Sequence, residues 1–222
     1  MFGKKKEWKS GYGQRLPLRG PMLVGLLVFS VLVNIGAAYA HQSMLQRGIA
    51  KEVLRFHVLA NSDEEKDQKV KLQVRDTVLA WIGEHTKTQG ADGSMTKKEL
   101  QQFLTAHLED LEDEANRILE EAEMHYRASA SVELCYFPER TYGDCTFPAG
   151  WYDALRIRLG EAQGHNWWCV LYPRLCFSDC LHARVGEEQK KQLAGVLTQE
   201  EYESLLHTPE RWRICFRWFD FF

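Results

Sequence analysis

Cys169 is the residue best placed by type to do chemistry. A nucleophilic thiolate needs a base within hydrogen-bond reach and, as a rule, a third group to orient that base. His165 or His182 could serve as base, and Asn166 or Asp179 could orient it. Nearness in sequence does not bring such groups together, because catalytic partners usually meet from distant positions. Cys176 follows seven residues later, so half of a disulfide is the simpler reading of Cys169. His57, alone on an apolar strand, reads as structural. No cysteine or histidine spacing matches a zinc site. Paired catalytic carboxylates and a phosphate-cradling glycine loop are also missing, so no cofactor or metal is expected.

The stretch from Gly160 to Phe177 must position these residues. Two glycines and the His165-Asn166 pair lead into Trp167 and Trp168, then into the apolar run Val170–Tyr172, which Pro173 closes. The pattern predicts a sharp turn followed by a buried strand. Gly164, His165, Asn166, Trp167 and Trp168 form a stiff turn of the kind that supplies binding hot spots, or one that is purely structural.

Charge divides the chain unevenly. Its 222 residues carry a formal charge of -3. Residues 1–40 hold six basic residues and one acid, which leaves 22 basic and 30 acidic residues in the body. A body this acidic argues against a nucleic-acid partner. The basic start runs into a segment with no Asp, Glu, Lys or Arg from Gly20 to Gln46, as a signal or membrane anchor does. Ala38 and Ala40 are small residues at the two positions a signal peptidase reads. Cleavage before His41 is favoured over an uncleaved anchor, and either one exports the body.

Export makes pairing available to all six cysteines, which lie beyond the segment: Cys135, Cys145, Cys169, Cys176, Cys180 and Cys215. Cys135 and Cys145 are placed like cross-strand partners on a hairpin. Cys169 and Cys176 flank a turn, and Cys180 competes for either. Buried thiols are the alternative.

The elements follow in order. Val53–Leu59 alternates as a strand, and Ser62 with Glu65 predicts a capping box opening a helix. Thr96 with Glu99 repeats that signal before a long helix striped by Leu100, Leu104, Leu108, Leu111, Ala115, Ile118 and Ala122. Strands are expected at 131–137, 151–159 and after Gly164, with a short strand and a turn over 142–150. The order predicts an α+β fold, a mainly antiparallel sheet with two helices packed on one face, preceded by the N-terminal signal or transmembrane segment. The expected divisions are residues 1–40 as signal or anchor, 41–51 as linker, 52–186 as the α+β domain and 187–222 as an extension. That extension contains a polar helix from Glu187 to His207 and an aromatic, basic tail, Arg211–Phe222, for the core or a membrane surface.

Several blocks resemble stage II sporulation protein R. They are Arg55-Phe-His-Val-Leu-Ala-Asn-Ser-Asp63, Asp67-Gln68 with Lys71–Leu79, Phe137–Gly143, Pro148–Leu155 and Gly164–Phe177. The likeness covers roughly residues 52–178. It implies a signalling protein of endospore formation rather than an enzyme, made in the forespore and exported into the space between the two septal membranes. There it would activate the membrane-embedded aspartic protease of the mother cell, which processes pro-sigma-E. Cys169 and Cys176 match the family's shared pair; the other four cysteines are additional. Arg174 stands where the family pattern usually has a second proline. An exported cysteine-dependent hydrolase using Cys169 and an envelope-binding structural module are the alternatives.

Overall fold

A computed structural model describes residues 19–87, 95–173, 175–177 and 185–206. Two compact units divide the chain after Ser43. In the first, helix α1 (Arg19–Glu52) begins, and its apolar side chains from Met22 to Ile35 are exposed. The charge-free run from Gly20 to Gln46 is about 40 Å long at ~1.5 Å per residue, more than the ~30 Å hydrocarbon core of a bilayer. Among the described residues this is the one helix long and apolar enough to cross a membrane. Ala38 and Ala40 lie within it.

The second unit begins at Met44, within α1. Its further elements are β1 (Leu54–Leu59), α2 (Glu65–Lys87), α3 (Lys97–Ala106), α4 (Leu108–Glu121), β2 (Ala128–Phe137), β3 (Arg140–Tyr142), β4 (Cys145–Phe147), β5 (Gly150–Leu159), β6 (Asn166–Tyr172), α5 (Glu187–Val196) and α6 (Gln199–Leu206). Four strands form one sheet in the order β2-β5-β1-β6, and β3 and β4 form a separate hairpin. Strand β1 runs parallel to β5 and antiparallel to β6.

Alternation along the strands sends side chains to two different cores. Leu54, Phe56, Val58, Leu155, Ile157 and Leu159 face α2, α3 and α4 through Val74, Val78, Leu104, Leu111, Ala115 and Leu119. Phe137, Tyr152, Ala154 and Val170 face the opposite way, against Ile49 of α1, Phe147 of the hairpin, and Leu193 and Leu205 of α5 and α6.

The expected sheet with two helices on one face is therefore corrected. Six α-helices occur among the described residues, and both sheet faces carry helical cover. The expected long helix after Thr96 is broken at His107, whose backbone (φ -118°, ψ 28°) leaves the helical region. Thr96 and Glu99 do form their capping box. The end of α1 reaches into the second core through Ile49, and Lys97 Nζ donates to the carbonyls of Ala50 and Lys51 at that helix's C-terminus, where cations are favoured.

Candidate functional site: the corner joining the β1–α2 loop to β6

The turn before β6 is clamped to the loop after β1. Gly164 N donates to Ala60 O at 3.0 Å, and Gln163 N donates to Asn61 O at 3.1 Å. Gly160, at φ +55°, is one of two residues in this turn that need the left-handed region; Ala162 adopts it as well. His165 N donates to Asp63 Oδ1, which also contacts His165 Nδ1. Those bonds hold the exposed Asp63 carboxyl below its usual range.

Behind this clamp sits Asp67, 4% exposed. Its Oδ2 accepts from Asn61 Nδ2 at 2.8 Å and Ser62 Oγ at 2.6 Å, and its Oδ1 accepts from the Tyr126 hydroxyl at 2.6 Å. Burial alone would raise the carboxyl, but the Ser62, Tyr126 and Asn61 donors outweigh it and hold it below the usual carboxylate range. Ser62 spends its hydroxyl on Asp67 and on the Glu64 N–H, so Asp67 takes the place expected for Glu65. Lys71, also buried, donates to Gln68 Oε1 and to His165 O at 2.9 Å. Burial, with Arg75 nearby, lowers its pKa.

The two tryptophans straddle β6. Trp167 meets Phe56 edge-on at 5.5 Å and lies under the Arg75 guanidinium, 5.1 Å from its carbon. Trp168 points the other way and stacks on His57 at 3.6 Å. Asn166 is paired with Leu59 at the start of β6. With β6 at the edge of the sheet, both rings stand at its border.

Beneath Trp168 the second sheet face is strongly cationic. Arg55 is fully buried, its guanidinium carbon 4.5 Å from the Phe137 centroid and 5.1–5.7 Å from those of Tyr152, Phe147 and Tyr142. Nε donates to Cys169 O at 3.1 Å, and one terminal nitrogen donates to the Tyr142 hydroxyl at 3.0 Å. The guanidinium is held by aromatic faces. His57, 4% exposed, has no hydrogen-bond partner on either ring nitrogen, and neither has Nε of Arg156. Such buried orphans each cost about 1–3 kcal/mol. Burial, then Arg156, Arg158 and Arg55, push the His57 pKa down to about 3. The alternation in sequence already sets Arg156 and Arg158 opposite Leu155, Ile157 and Leu159, but it carries no sign of the Arg55 cage or of the stacking of His57 on Trp168.

The four cysteines among the described residues do not pair. Cys135, Cys145, Cys169 and Cys176 all carry thiols, which overturns the expected disulfide. Cys176 Sγ donates to Val170 O at 2.9 Å, and Cys169 Sγ approaches the same carbonyl at 3.8 Å. Cys135 lies opposite Tyr152 in β2–β5, while Cys145 lies opposite Tyr142 in the hairpin, so the expected cross-strand pair does not exist. Burial pushes both of these thiols up to about 11, and they pack as small apolar groups. Cys180 and Cys215 lie outside the described residues, as do His182, Asp179, Arg174 and the aromatic tail.

Nor does the fold bring His165 to Cys169. The histidine is 81% exposed at the corner and bound to Asp63, whereas Cys169 is 2% exposed within β6. Four residues of extended chain separate them by about 13 Å. No group of three or more His, Cys, Asp or Glu side chains suited to a metal occurs among the described residues.

No solved structure matches this chain. Stage II sporulation protein R of Bacillus subtilis (strain 168) is 26% identical over 205 residues, which covers 87% of this chain and 88% of that protein. Residues 50–182, which hold the whole corner and the cationic face, match the sequence model of the family described as Stage II sporulation protein R (spore_II_R). The chain belongs to that sporulation family.

Proposed function

We propose that this chain is an intercompartmental signal of sporulation that acts by binding. It is made in the forespore and exported through α1 into the space between the septal membranes. There it engages the membrane-embedded aspartic protease of the mother cell and switches on processing of pro-sigma-E. The family match across residues 50–182 carries this reading. The exposed apolar helix supports the export step. Cleavage before His41 would release a chain whose compact second unit starts at Met44.

The signal works without covalent chemistry in this reading. Binding shifts the protease toward an active arrangement, which requires only a difference in affinity between its two states. The corner and the tryptophan-bearing edge strand supply a pre-ordered surface for that contact, and preorganisation lowers the cost of binding.

Co-production of the full chain, the protease and pro-sigma-E in a host lacking all three tests the proposal. Processing is expected only when all three are present. Processing without this chain, or none with it, overturns the reading.

A further inference from the structure

Two rows of the second sheet face carry the arginines of β5, and their residues fall in register. Ser131, Arg156, His57 and Trp168 form one row across β2, β5, β1 and β6; Ser129, Arg158, Leu59 and Asn166 form the next. Partners in register point to the same side of a sheet. Glu133 stands beside these rows, and its Oε1 accepts from Arg156 at 2.7 Å and also from Arg158. Two guanidinium groups thus share one carboxylate oxygen. Arg140 adds a third, exposed, with its carbon 5.8 Å from the Trp168 centroid.

We infer that this part of the face is a binding site for an acidic peptide segment of a partner protein, whose carboxylates dock on Arg156, Arg158 and Arg140 beside Trp168. Charge complementarity selects the occupant. The body of the chain is acidic, yet here three arginines face one carboxylate, and guanidinium forks match carboxylates in geometry. The unpartnered nitrogens of His57 and Arg156 leave the row further bonding capacity. A ligand carboxylate competes with Glu133 for the same forks. The inference does not depend on the partner being the protease, so failed processing leaves it standing.

The test uses the full chain in phosphatidylcholine nanodiscs and calorimetric titration with an acetylated, amidated hexapeptide of alternating glutamate and glycine. The glutamine counterpart is the control. Binding of the glutamate peptide alone is expected, weakened at least tenfold in the double variant Arg156→Gln, Arg158→Gln. Glu133→Gln, which frees both forks, is expected to tighten binding severalfold; a merely structural role for Glu133 predicts no gain. Should the double variant misfold, the exposed Arg140→Gln carries the test with an expected loss of about threefold. Equal binding of both peptides, no binding, or indifference to all of these variants overturns the inference. So does binding to phosphatidylglycerol vesicles with no affinity for the peptide, which would make the face a lipid site.

Discussion

Gly164 and Ser62 meet so closely that a Cβ on residue 164 would lie 2.0 Å from the Ser62 carbonyl oxygen. The clash is with backbone, which cannot swing away as a flexible side chain would. Gly164→Ala is therefore expected to open the corner at a cost of about 1–3 kcal/mol. Urea unfolding followed by tryptophan fluorescence reads this directly. An unchanged midpoint would mean that the clamp yields freely.

Asp67 makes the corner sensitive to acid. Its carboxyl is held below the ordinary range by Ser62, Tyr126 and Asn61, so its folded pKa lies below its unfolded value. The stabilisation is then complete above pH ~4 and is lost as pH falls through the folded value. Asp67→Asn should lower the midpoint at pH 7 and flatten its fall below pH 4. If the variant and the parent fall in parallel, the dependence comes from other carboxylates.

Arg55 is expected to resist even conservative replacement. A lysine ammonium cannot lie flat against Phe137 while reaching both the Cys169 carbonyl and the Tyr142 hydroxyl. Arg55→Lys should cost about 2–4 kcal/mol, measured by the same unfolding curve. A loss under ~0.5 kcal/mol would show that the aromatic cage accepts any cation.

Cys169→Ala and Cys176→Ala should each retain pro-sigma-E processing in the co-production assay. The two thiols make local contacts with the Val170 carbonyl, and the proposed signal uses neither as a nucleophile. Loss of processing with Cys169→Ala alone, at normal protein level, would bring back the hydrolase reading.

The local elements were legible because their signals are local. The alternation at 151–159 and the cap at Thr96 correspond to β5 and to the start of α3. The break at His107 was not legible, since Leu100 to Ala122 keeps one stripe across it; Trp81 of α2 packing against the His107 ring is a tertiary fact. A capping signal at Thr198 and Glu201, which starts α6, was passed over inside a single expected helix. The residues of the corner were readable as a resemblance, but their mutual contacts were not. Ser62 and Gly164 lie far apart in sequence, and no periodicity links them. The parallel pairing of β1 with β5 was hidden for the same reason.

That pairing also governs when the molecule can fold. Strand β1 holds the centre of the sheet, yet both neighbours, β5 and β6, come from roughly 100 residues later in the chain, a separation of the kind that slows folding. A chain threading through a membrane from its N-terminus delivers β1 first and leaves it without a neighbour until nearly the whole domain has crossed. Under the proposed export, the sheet would therefore assemble on the far side, late and almost at once. A truncated export product would have its central strand and neither of the strands that complete it, which, in the proposed role, would tie the appearance of a competent signal to the end of translocation.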